Sequence, residues 1–179
     1  NDVLQKLQKK LNALPVTSLL LPVASYDWLI DASKAKAMVF AGEDKKSIII
    51  TNGLTARIFR LTPNLATIDV VNQMTGENML RAVSGEGEIV LNGKTWNIGG
   101  LQGQPERGYI KPEWIEQMTV MPNSFILEDF DVSNKIDVLP WARSRWALNK
   151  KDPIGKRLTF TLRGRDEMKD IIVKLYFDI

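Results

Sequence analysis

The stretch "SIIITNGLTARIFR", residues 47–60, decides the fold. Two runs rich in β-branched residues flank Asn52-Gly53. Asn-Gly supplies the two positive φ angles of a type I′ turn, so a hairpin is predicted over 47–60. On its second strand Leu54, Ala56 and Ile58 face one way, and Thr55, Arg57 and Phe59 the other. The logic repeats outward. "EIVLNGKTWNI" (88–98) sets Asn92-Gly93 between two further runs. "ATIDVVNQMTGENMLRAV" (66–83) reads as strand, Thr75-Gly76 turn, strand. "SFILEDFDV" (124–132), "RLTFTLRGR" (157–165) and "DIIVKLYFDI" (170–179) add more. About ten short strands with turn chemistry between them, and no strand–helix alternation, predict a mainly β fold, an antiparallel β-sandwich.

Two segments break the β pattern. In "VLQKLQKKLNAL" (3–14), Leu4, Leu7, Leu11 and Leu14 recur at three- and four-residue steps with Lys6, Lys9 and Lys10 elsewhere. That is a short N-terminal amphipathic helix, with Asp2 placed to cap it and Pro15 to stop it. "PEWIEQM" (112–118), with Pro in the first turn, reads as a second and shorter helix. The chain divides into helix and linker over 1–34 and sandwich over 35–179. It ends inside a strand, which suits either a native end paired into a sheet or a sandwich continuing past Ile179.

Composition narrows the chemistry. The 179 residues hold no His and no Cys, with 24 basic and 21 acidic side chains. Imidazole bases, Ser-His-Asp and Cys-His machinery, disulfides and the usual zinc sites are excluded. Catalysis would rest on carboxylates, Lys, Tyr or an oxygen-ligated metal; no cofactor or metal site is predicted. A net charge of +3 argues against nucleic acid as a partner. No apolar run approaches the ~18 residues of a membrane span.

Three stretches carry candidate sites. "GGLQGQPERGYIKPEW" (99–114) lacks both G-x-G-x-x-G and the G-K-[ST] of a P-loop, so it is not a phosphate cradle. Arg107, Tyr109 and Trp114 offer a cation, a hydroxyl and a flat apolar face on a loop at the rim of the sandwich. They contact ligand, or the aromatics close one end of the core. "PWARSRWALNKKDPIGKR" (140–157) interleaves Trp141 and Trp146 with six basic residues, Arg145 among them. Trp faces stack on sugar rings while Arg bonds hydroxyls; the alternative is a solvated loop whose Trp side chains plug the core. In "LEDFDV" (127–132), Asp129 and Asp131 share a strand face and Glu128 takes the other. They form an acid/base or cation-binding set, or an acidic row that blunts a sheet edge.

The phrases "IIITNGLTARIFRLTPNLATIDVVNQMTGENMLRAV" (48–83), "GGLQGQPERGYIKPEW" and "PW…RW" resemble the N-terminal β-sandwich region of bacterial proteins related to the α-galactosidases of glycoside hydrolase family 36. The resemblance covers roughly residues 35–179. It implies a galactose-mutarotase-like sandwich, which in that family precedes a TIM barrel carrying two catalytic aspartates and lends loops to the sugar pocket. A barrel needs about 250 residues, so no catalytic residue carries over. What the resemblance implies is a non-catalytic module of an extracytoplasmic carbohydrate-active protein. It would contact a galactoside-like sugar or pack on a catalytic domain or partner protein. Its ligand-binding set would be Arg107, Tyr109, Trp114, Trp141, Arg145 and Trp146. The alternatives are a docking domain without sugar affinity and a small glycosidase using acids such as Glu128 and Asp131.

Overall fold

The structure, a computed structural model, describes residues 2–28, 30, 34–135 and 154–179. The first sheet has six strands in chain order: β1 (Val16–Thr17), β2 (Met38–Gly42), β3 (Ser47–Thr51), β4 (Thr55–Arg60), β5 (Ala66–Asn72) and β6 (Glu77–Asn78). The hairpin β7 (Gly87–Leu91) and β8 (Lys94–Ile98) follows. A small ribbon of β9 (Leu101–Gln102) and β10 (Thr119–Val120) comes next, then β11 (Ser124–Asn134), β12 (Lys156–Arg163) and β13 (Ile172–Asp178). The second sheet is ordered β7-β8-β11-β12-β13. All pairings are antiparallel except the two-residue contacts of β1 with β2 and of β8 with β11. The fold is a β-sandwich with an N-terminal helix, as the turn spacing predicts.

The turns differ in how they are made. At Asn92-Gly93 both φ angles are positive, 51° and 74°, and Leu91 pairs Lys94 across a two-residue type I′ turn. At Asn52-Gly53 only Gly53 is left-handed, so the predicted type I′ geometry is absent. Asn52 instead accepts hydrogen bonds on Oδ1 from the Leu54 and Thr55 amides, both at 3.0 Å. Its side chain replaces a backbone turn, and the loop is correspondingly wider. The hairpin itself stands, with Ser47 opposite Arg60 and Thr51 opposite Ala56.

The core lies between the sheets. Ile48, Ile50 and Phe59 of the first meet Phe125, Leu127, Leu158 and Phe160 of the second. Phe59 packs against Phe160 and Phe177 with ring centroids 5.0 and 4.7 Å away. A buried polar clamp joins the layers. Asn64 donates to the Phe125 carbonyl at 3.1 Å and accepts the Leu65 and Leu127 amides at 2.9 and 3.0 Å.

The first sheet is buried on its other face as well. Ile49, Ala56, Ile58, Ala66, Ile68 and Val71 form a second apolar cluster with Val83, Leu101 and Met118. Leu19, Leu21, Ile110, Trp114 and Ile115 pack against it. The 99–114 stretch therefore belongs to a third layer over a sheet face, not to a rim at one end.

The helix α1 (Asp2–Asn12) lies along the part of β11 that β8 does not reach. Lys10 donates to the Phe130 carbonyl at 2.9 Å, covering an open strand edge. Asp2 is the first helical residue and not a cap outside it. Leu7 and Leu11 are buried as the period predicts, but Leu4 is 45% exposed. The lysine contacts on the β11 side set the rotation of α1, and Val3 takes the inward place in its first turn.

Asn64→Ala strands a buried carbonyl and two buried amides. It is expected to lower stability by about 2 kcal/mol or more in urea unfolding, while exposed Asn78→Ala leaves it unchanged.

Candidate functional site

The 99–118 segment is held at both ends. Gly99 and Gly100 both have positive φ, 64° and 101°. A Cβ on Gly99 would lie 2.5 Å from the Leu65 carbonyl oxygen, and one on Gly100 2.8 Å from the Gly85 Cα, so only glycine fits. Gln104 then organises the loop. Its Nε2 reaches the carbonyls of Arg81, Glu106 and Tyr109 at 3.0, 2.6 and 2.8 Å, and its Oε1 accepts the Val83 amide at 2.9 Å. At the far end α2 (Pro112–Ile115) leads into Glu116, which bonds Lys46 and buried Arg60, each at 2.7 Å. The hydrogen bond from Lys46, with help from Arg60 and against burial, holds the Glu116 carboxyl below its ordinary range.

Tyr109 and Trp114 come together on this loop, with ring centroids 5.1 Å apart at 37°. Trp114 is half-buried and packs into the third layer, whereas Tyr109 is 46% exposed. Lys111 Nζ stands 5.7 and 5.4 Å from the two rings, within cation–π range. Arg107 is exposed two residues before Tyr109. Of the other predicted ligand-binding residues, Trp141, Arg145 and Trp146 lie outside the described residues.

Beside Tyr109 a cavity of about 230 Å³ opens between the third layer and the first sheet. Ile58 and Ile68 form its floor, and Leu19, Leu80, Ile110 and Ile115 its walls. Asp69 lines it too, because of a β-bulge. Ile58 pairs Asp69 while Phe59 pairs Thr67, which leaves Ile68 without a partner. Two residues then oppose one, and Ile68 and Asp69 turn to the same side. Burial raises the Asp69 carboxyl above its ordinary range, against hydrogen bonds from the Val70 and Leu80 backbone. Sequence reading passed over Asp69. Its signal was a single charge inside the β-branched run "ATIDVV".

The acids of "LEDFDV" serve structure. Asp129 binds Lys6 at 2.8 Å and Lys10 at 2.7 Å, Asp131 binds Lys10 at 2.7 Å, and Glu128 binds Arg163 at 2.5 Å. Burial pushes the Asp129 carboxyl up, but the bonds from Lys10 and Lys6 outweigh it and the carboxyl sits below its ordinary range. A depressed carboxyl contributes stability that is full above its unfolded value of about 3.9 and lost as pH falls through the folded value. Burial lowers Lys10, yet Asp129 and Asp131 outweigh it and raise the ammonium. That share is full below an unfolded value of about 10.4 and lost as pH rises through the folded one. The docking of α1 is therefore expected to weaken in acid and again in strong alkali. In urea unfolding below about pH 4, the wild type loses stability more steeply than Asp129→Asn; parallel profiles would show that the pair contributes nothing.

Comparison with protein-family models, curated proteins and solved structures finds no match to this chain.

Proposed function

We propose that this chain is a non-catalytic β-sandwich module of an extracytoplasmic carbohydrate-active protein, contacting a galactoside-like sugar at the Tyr109 lip and packing beside a catalytic unit. The exposed Tyr109 ring, braced by Trp114 on a loop held at both ends, carries this reading. An aromatic face ordered before binding stacks on a sugar ring without a further ordering cost. Arg107, two residues away, brings donors for hydroxyls. The likeness of residues 48–83 and 99–114 to the family 36 sandwich points the same way. Binding is favoured over hydrolysis because Glu128, Asp129 and Asp131 are each engaged by a cation. A glycosidase needs two carboxyl groups facing one another across a cleft.

A second reading, docking on a partner domain without sugar affinity, is favoured by Leu20. It lines the cavity beside Tyr109 and is 87% exposed. Calorimetric titration with raffinose and melibiose separates the two. Saturable binding weakened about tenfold by Tyr109→Ala, a change of ~1.4 kcal/mol, is the expected result. No binding by the wild type leaves the docking reading.

A further inference from the structure

Among the described residues, the half-buried carboxylates other than Asp69 are matched with cations. Glu86, with its side chain 2% exposed, pairs Arg57 at 2.6 Å, and Asp129 pairs Lys6 and Lys10. Asp44 pairs Arg60 at 3.0 Å. Asp69 departs from the pattern. It is half-buried, yet no cation among the described residues pairs with it. Its hydrogen bonds come from backbone, the Val70 amide at 2.7 Å and the Leu80 backbone. A carboxylate has about four acceptor sites, so capacity remains. The bulge that turns Asp69 toward the cavity is the device by which strands re-aim a side chain at a functional position.

The cavity walls say what else a ligand needs. Ile58, Ile68, Leu80, Ile110 and Ile115 are aliphatic, and the volume is about 230 Å³. An apolar cavity of about 150 Å³ already holds benzene, so one ring with a short arm fits here. A saccharide would leave most of its hydroxyls unpaired against these walls, which separates the cavity from a sugar-stacking lip. Arg81 is the other charged residue lining the cavity. It is exposed, whereas Asp69 is half-buried.

We propose that this cavity binds a small amphipathic amine, its apolar group seated among the aliphatic walls and its ammonium paired with the Asp69 carboxylate. Desolvation strengthens such a pair, and a cation offsets the cost of burying the ionised Asp69 carboxyl.

The test titrates 2-phenylethylamine into the full chain at neutral pH by calorimetry, with 2-phenylethanol and phenylacetate as neutral and anionic probes. Saturable amine binding, at least about tenfold tighter than the alcohol, is expected. Asp69→Asn should bring the amine to the level of the alcohol. Its melting temperature should hold or rise, because a desolvated carboxylate is removed while an acceptor for the Val70 amide is kept. Leu80→Phe, which fills the cavity and leaves Asp69 in place, should abolish binding of every probe. The proposal is overturned by no amine binding, by equal affinity for amine and alcohol, or by tighter binding of phenylacetate, which would make Arg81 the anchor. Amine binding that survives Asp69→Asn or Leu80→Phe overturns it as well. Raffinose binding that persists in Asp69→Asn would keep this site distinct from the Tyr109 lip.

Discussion

The burial of the first sheet on both faces is the constraint on which the rest of the molecule depends. All five residues of β3 are buried, with Ile48 and Ile50 on one side and Ile49 on the other. An apolar face must be covered by another element, and a sheet with two apolar faces needs two covers. The second sheet supplies one. The other is assembled from irregular chain: the residues after β1, the segment leading to Val83, and the 99–118 loop with its one-turn helix. Where the segment lies against the sheet its backbone must find partners, and the Gly100 amide donates to the Leu65 carbonyl. Farther out, where the loop is exposed, the Gln104 side chain gathers the carbonyls of Arg81, Glu106 and Tyr109 and the Val83 amide. Irregular chain does not fill a sheet face as evenly as a second sheet does, and the cavity beside Asp69 lies in this layer.

Charge fastens the outer elements to this frame. Lys6 and Lys10 tie α1 to β11, Arg60 and Lys46 tie the end of α2 to the first sheet, and Arg163 holds Glu128 across the second. Exposed pairs of this kind contribute little stability individually. Their effect is positional, because each fixes the angle at which an amphipathic segment meets the core. Arg60 is the exception in depth. Its guanidinium is buried and shared between Asp44, Glu116 and the Thr62 carbonyl, so losing one partner would leave a desolvated charge short of hydrogen bonds. The acids that read most readily as catalytic in the sequence are thus consumed in holding the fold.

The candidate site was partly legible. Tyr109 and Trp114 stood out as aromatics in a glycine-bearing loop, and they do meet. Which of them faces solvent was not readable, because that depends on where α2 lands on the outer face of the first sheet. Asp69 was harder still. Its direction follows from a bulge, and a bulge is a mismatch between two strands that neither strand encodes alone. Asn52-Gly53 and Asn92-Gly93 make the same point at shorter range. The dipeptide is identical, but only the second forms a type I′ turn. At the first, Thr51 Oγ1 accepts the Gly53 amide and Asn52 Oδ1 the two that follow, and this local competition sets the turn.

By itself the sequence determined the longer strands from β3 onward but not β2 or the short β1, β9 and β10. It also determined the positions of most turns, the inward stripe of α1 and the absence of imidazole and thiol chemistry. Period-2 and period-3.6 burial, turn residues and composition are local properties, written in consecutive residues. Tertiary structure alone decided that the 99–114 loop is a covering layer, that Asp129 and Asp131 are docking sites for lysines, and that Asp69 lines a cavity. Each of these rests on contacts between residues far apart in the chain, where packing and register, not local preference, choose which face is filled and which charge is left unpaired.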